Sequence, residues 1–253
     1  TTEIYTLSLH DALPIWSASS AALFAQEGAQ VIIFAREEER CRKKAEEIEK
    51  QGGKAEYFVG DVSKLEDIHA LRQMVLDKYG RLDILFNNAG ILITGALDEL
   101  SDEEWDKTYE VNVKAVMRMC RAFISLLQEN RGVILNNASI NGLHSYIKGK
   151  RSYMYATSKS AVIQFTKYMA KNYAPEVRAN VLCPGITVTN LFTNRDFSRF
   201  ADSNLLGRMA QPEEIAKVAL FLVSDDASFV TEATIIAAPT RSEERRVGKE
   251  CRS

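Results

Sequence analysis

The chain has little of what would announce metal or disulfide chemistry. Its 253 residues include four cysteines (Cys41, Cys120, Cys183, Cys251) and three histidines, all scattered. Without paired spacing they argue against a disulfide framework or a zinc cluster and suit reduced thiols in a cytoplasmic protein. Charge of one sign is missing too: 32 Lys and Arg against 34 Asp and Glu leave a net charge of −2. Such a balance offers no basic footprint for nucleic acid and no polybasic face for a membrane. No apolar run approaches the ~18 residues that span a bilayer. Repeats, low-complexity tracts and linkers are absent as well, so one domain is expected.

What is present alternates. Apolar strands are predicted at Val31–Phe34, Lys54–Val59, Leu82–Phe86, Val133–Asn136, Arg178–Leu182 and Thr234–Ala237. Helices are expected between them at Ser17–Gly28, Arg36–Gln51, Lys64–Tyr79, Ser101–Gln128, Tyr153–Tyr173 and Pro212–Val223. Ser101 and Glu104 form a capping-box pattern, and Pro212 suits a first helical turn. Strand–helix alternation predicts a Rossmann-type, doubly wound parallel α/β sheet. With 46% hydrophobic residues the chain can bury a sizeable core.

The chemistry concentrates between Ser139 and Lys159. Tyr155 and Lys159 stand four apart and share a face if the stretch is helical. An ammonium beside a phenol favours the phenolate, so Lys159 is expected to lower a pKa that otherwise sits near ~10. A phenol tuned this way exchanges a proton with a carbonyl or alcohol oxygen. Ser139, just after an apolar strand, can donate a second hydrogen bond to that oxygen. Tyr153 is a rival phenol, but four residues on stands Thr157, and it is set aside.

Both ends look foreign. Encoded with suitable codons, residues 241–253 have a reverse complement that translates, in a shifted frame, as Ile4 to Ile15. Residues 1–15 and 241–253 therefore read as a translated sequencing-library adapter, leaving a fragment from about Trp16 to about Thr240.

Across residues 16–240 the ordered motifs are Asp61-Val62, Asn87-Asn88-Ala89-Gly90, Asn112 in Val-Asn-Val, Ser139, Tyr155-x-x-x-Lys159 and Pro184-Gly185. In this order they resemble the classical short-chain dehydrogenases/reductases, near the 3-oxoacyl-acyl-carrier-protein reductases. The resemblance implies an NAD(P)-dependent oxidoreductase interconverting a secondary alcohol and a ketone, with a small-molecule carbonyl or alcohol substrate. It implies Tyr155 as general acid/base, Lys159 on the nicotinamide ribose, Ser139 polarising the carbonyl, and Asn112 holding a relay water behind Lys159. A homotetramer or dimer is implied through the long helices.

For the cofactor, the resemblance places Asp61 and Val62 at the adenine, Asn88 and Ala89 beside the ribose, and Ile186 at the nicotinamide carboxamide. Relatives that prefer NAD(H) carry an acid at the end of the second strand. Here Ala35 stands there, followed by Arg36, a combination that favours NADP(H). Arg36 also fits the start of a charged helix face. The family's spacing is departed from between Ser139 and Tyr155, lengthened through Lys148–Arg151, and at Tyr173–Glu176, shortened. The family's glycine-rich pyrophosphate turn should fall at residues 10–17, where this chain has His10, Asp11, Ile15 and Ser17. Those side chains would obstruct the approach of a phosphate. Ile4–Leu9 has strand propensity and falls where the family's first strand would lie, so it is expected to fill that slot. Leu191, Phe192, Phe197, Phe200 and Leu205 suggest an apolar lid. A non-catalytic nucleotide-binding protein on the same fold is the alternative.

Overall fold

A computed structural model of the chain describes residues 4–8, 16–143, 152–188 and 205–238. The elements are β1 (Ile4–Ser8), α1 (Trp16–Gln26), β2 (Gln30–Ala35), α2 (Glu38–Lys50), β3 (Lys54–Val59), α3 (Leu65–Tyr79) and β4 (Ile84–Asn87). They continue with α4 (Asp102–Tyr109), a π-helical segment (Glu110–Lys114), α5 (Ala115–Glu129), β5 (Val133–Asn137) and a 3-10 turn (Ile140–Gly142). Then follow α6 (Tyr153–Tyr173), β6 (Arg178–Pro184), α7 (Pro212–Val223) and β7 (Thr234–Ala237). The sheet is wholly parallel, in the order β3-β2-β1-β4-β5-β6-β7.

Alternation along the strands sends side chains into two layers. On β2, Ile32 and Phe34 join a cluster with Leu71, Val75, Leu85, Met119, Phe123, Ile134 and Val162 from α3, β4, α5, β5 and α6. Val31 and Ile33 point the other way, into a cluster with Phe24, Phe86, Leu135, Leu182, Ile215 and Leu222 from α1, the strands and α7. A parallel strand apolar on both faces is one that helices must cover twice. Each fully buried Leu, Ile or Phe contributes roughly 1.5–3 kcal/mol of transfer free energy.

Helix ends follow the local chemistry. Ser101 Oγ accepts from Glu104 N–H at 3.2 Å and Glu104 Oε2 accepts from Ser101 N–H at 3.0 Å, completing the expected capping box. Gly80, at φ 67, closes α3 by donating to the carbonyls of Val75 and Leu76; glycine tolerates this left-handed geometry without strain. β1 pairs with β2 and with β4, so Ile4–Ser8 does occupy the central slot.

One expectation fails. The helix expected as one piece over 101–128 is divided by the π-helical segment, whose bonds close one residue later than those of an α-helix. Residues 10–15, Lys148–Arg151 and the proposed lid from Leu191 to Phe200 lie outside the described residues.

Candidate active site

Parallel pairing puts the carboxyl ends of all the strands on one edge, and the order reverses between β1 and β4, where such sheets bind ligands. Five of the sequence's candidate segments reach that edge. Arg36 follows β2, Asp61 follows β3, Asn88 follows β4, Ser139 follows β5, and Ile186 follows β6.

At the β2 and β3 ends, Arg36 Nη1 lies 3.8 Å from Asp61 Oδ2. Asp61 Oδ1 also accepts from the N–H and hydroxyl of Ser63, at 2.8 and 2.7 Å, which ties down the turn. The Val62 side chain is buried at 3% exposure in the α3-side core with Ile68 and Leu71. Ala89 is likewise buried in that cluster. Asn88 donates through Nδ2 to Ser17 Oγ in the first turn of α1. The Ile186 carbonyl accepts from Ala210 N–H at 3.1 Å, which anchors the loop after β6.

Ser139, Tyr155 and Lys159 meet in the middle of the edge. Ser139 is extended at φ −170, and its Oγ accepts from Asn141 N–H at 3.2 Å. Its own proton is left for the Tyr155 phenol, whose pKa Ser139 pulls down. Gly142 lets the turn after Ser139 lie directly on α6: a Cβ there would stand 2.8 Å from the Lys159 carbonyl carbon and 2.9 Å from Ser160 N. Ser160 Oγ in turn donates to the Gly142 carbonyl at 2.6 Å. Lys159 is 1% exposed; its Nζ donates to the Asn137 carbonyl at 2.9 Å and lies 5.7 Å from the centre of the Tyr155 ring.

The electrostatics correct one expectation. Burial raises the Tyr155 pKa in the unliganded site, with the Ser139 hydrogen bond pulling the other way and Cys183 adding to the rise. Lys159 does not depress it, because the ammonium is itself desolvated. Burial lowers the Lys159 pKa to about 8, against an upward pull from Cys183. Cys183, at the end of β6, is pushed up to about 12 by burial, and so stays a neutral thiol beneath the site.

Asn112 sits fully buried in the π-helical segment. Its Oδ1 accepts from Ile91 N–H at 2.8 Å, and its Nδ2 donates to the Ile91 carbonyl and to Ser158 Oγ, both at 3.0 Å. The side chain therefore staples the chain after Gly90 to the turn of α6 that carries Lys159. With both amide protons used, a relay water would have to find the backbone. Arg118 on α5 extends the same scaffold, contacting Glu110 of the π-helical segment and donating to the Ser63 carbonyl at 2.7 Å.

Sequence reasoning passed over a buried amide network. Asn87 Nδ2 donates to Asn136 Oδ1 at 2.8 Å, and Asn136 Nδ2 to Thr166 Oγ1 at 2.8 Å. Asn137, next on β5, faces the opposite side. A pair of asparagines closing an apolar strand was the available signal, since buried polar groups are kept only with partners or for a task.

Comparison with known proteins agrees with this geometry. The family model described as Enoyl-(Acyl carrier protein) reductase matches residues 17–238. The chain is 37% identical over 221 residues to a cyclopentanol dehydrogenase of Comamonas sp. (strain NCIMB 9872), covering 85% of this chain and 87% of that one. It is 35% identical over 223 residues to a 3-oxoacyl-acyl-carrier-protein reductase of Thermotoga maritima, covering 86% and 89%. Among solved structures, an actinorhodin polyketide ketoreductase variant crystallised with NADPH superposes with a TM-score of 0.87 at 28% identity, covering 94% of this chain and 96% of that one. The chain belongs to the short-chain dehydrogenase/reductase family of oxidoreductases and resembles its 3-oxoacyl-acyl-carrier-protein reductases.

Proposed function

We propose that the protein interconverts a secondary alcohol and a ketone with a nicotinamide cofactor, NADP(H) in preference to NAD(H). The observation that carries this is the convergence of Ser139, Tyr155 and the buried Lys159 on the carboxyl edge of the sheet. The described residues fit a dinucleotide: buried polar side chains line the β4 and β5 ends, and a guanidinium stands at the β2 end. The bound cofactor supplies or accepts the hydride, and the chain supplies position and the proton. In reduction, Ser139 donates a hydrogen bond to the substrate carbonyl oxygen and Tyr155 gives that oxygen its proton. A positive Lys159 brought to a ribose and the phenol would stabilise the phenolate left behind. Asn112 holds Lys159's helix turn through Ser158. Arg36 would meet a 2′-phosphate bidentately, and the absence of an acid at Ala35 supports the same choice.

Substrate class, a cytoplasmic location and a homotetramer or dimer belong to this proposal too. A second possibility has its own support. Residues 1–15 and 241–253 read as foreign, and the cofactor turn expected at 10–17 then lacks its glycines, so the literal chain would keep the fold and lose the pyrophosphate site.

Calorimetry separates these cases. NADPH is expected to bind at least tenfold more tightly to a chain with a glycine-rich turn restored at 10–17 than to the literal chain. In that restored chain, Arg36→Leu should erase most of the preference for NADPH over NADH, a change of roughly tenfold or more. No binding of either cofactor by either chain would sink the proposal. Gly142→Ala is expected to displace Ser139 from Tyr155 and to lower kcat by about 10²-fold with little change in cofactor Kd. An unchanged kcat would mean that the turn can shift without moving Ser139.

A further inference from the structure

Beyond the residues assigned above, Asn137 has no assigned role, yet its surroundings specify one. It is the last residue of β5 and is 8% exposed. Its backbone carbonyl holds Lys159 Nζ at 2.9 Å. Its side-chain oxygen, Oδ1, is buried and meets no hydrogen-bond donor among the described residues. Asn112 and Asn136 are engaged through oxygen and nitrogen alike, whereas Asn87 shares with Asn137 a buried Oδ1 that meets no donor among the described residues. A buried acceptor without a donor is costly, and a fold that merely needed a filler there would be more stable with leucine or isoleucine.

Direction narrows the occupant. Asn137 pairs in register with Leu182, and Leu135 and Leu182 face the α1 and α7 layer. The Asn137 amide therefore lies on the α1 side of the sheet, the side on which Asn88 reaches Ser17. Ser139 is extended and two residues on, so both side chains leave the same face of the chain. An acceptor in this position stands beside the reacting groups, at the carboxyl ends of the strands, on the crevice side.

We infer that Asn137 is a cofactor-positioning residue whose Oδ1 accepts a hydrogen bond from the nicotinamide half of the dinucleotide, either a carboxamide N–H or a ribose hydroxyl. The inference rests on the cofactor proposal above. One strand end then fixes two groups at once: the backbone carbonyl sets Lys159, and the side chain sets the ring that must meet Ser139 and Tyr155.

Asn137→Leu tests this with three probes, each titrated by calorimetry into wild type and variant: NADPH, 2′-phospho-ADP-ribose and 2′,5′-ADP. NADPH affinity is expected to fall about tenfold, and 2′,5′-ADP affinity to stay within twofold. If the donor is the carboxamide, 2′-phospho-ADP-ribose is unaffected; if it is the ribose, that probe weakens together with NADPH. The unliganded variant is expected to melt higher by roughly 3 °C or more, because an unpaired buried acceptor has been removed. Asn137→Ala, with the same expected loss of NADPH affinity, serves should the leucine variant not fold. Unchanged NADPH affinity beside normal wild-type binding, an equal loss for 2′,5′-ADP, or a lower melting temperature for Asn137→Leu would each overturn the inference alone. Failure of the wild type, with its turn restored, to bind any probe would overturn it together with the proposed function.

Discussion

Tyr155→Phe is expected to lower kcat/KM for carbonyl reduction by roughly 10³-fold, within the span that a positioned proton donor contributes. Phenylalanine keeps the ring and its packing beside Lys159, so cofactor Kd should move by less than about threefold. Ser139 Oγ would still accept from Asn141 N–H, and the loss of one hydrogen bond should cost only about 1 kcal/mol in stability. Because burial raises the pKa of the unliganded phenol, kcat/KM for alcohol oxidation should climb with pH wherever free enzyme and alcohol are the reactants. A variant that retains a tenth of the activity would show that another group supplies the proton.

Lys159→Met is the second large effect, and it should act in opposite directions on stability and activity. Lys159 titrates at about 8 in the folded protein, below its unfolded value of ~10.4. Between those pH values the unfolded chain binds more protons than the folded one, so this group makes stability rise with pH across that window. Its penalty is fully present below about pH 8, at roughly 3 kcal/mol, and vanishes above about pH 10.4. Methionine removes the penalty but leaves the Asn137 carbonyl without its donor, a loss of about 1–3 kcal/mol. Relative to wild type, the variant should therefore be level or more stable at pH 7 and clearly less stable near pH 10. Urea unfolding at both pH values reads this directly. Turnover should fall by about 10²-fold or more. A stability difference between variant and wild type that does not change with pH would refute the charge assignment.

Much of this was legible before the structure, for reasons that can be named. Every strand and helix after residue 16 was marked by apolar runs separated by glycine, proline or capping residues, and Ser101 with Glu104 gave a helix start by pairing chemistry alone. The four candidate catalytic residues could be named from the sequence because their types and order narrow the possible chemistry. The π-helical segment was invisible, since Thr108, Val111, Asn112, Ala115, Val116 and Met119 keep an unbroken helical period through it. The direction of the Tyr155 shift was missed because a spacing of four fixes proximity and says nothing about burial. Asn137 was passed over because asparagine at a strand end reads as a turn.

The π-helical segment has a consequence for how this sequence can change. Five residues there do what an α-helix of the same rise does with about four, so the segment is in effect a single inserted residue absorbed without unfolding the helix. Deleting any one residue from Glu110 to Lys114 would let α4 and α5 fuse into one regular helix with their relative phase nearly kept, since four α-helical residues turn about as far as five π-helical ones. Only the segment itself would be re-aimed, and Asn112 would lose its place against Ile91 and Ser158. A shortening of one codon would thus be nearly silent in helix content and ruinous for the crevice. Substitutions can drift along this helix; its length cannot.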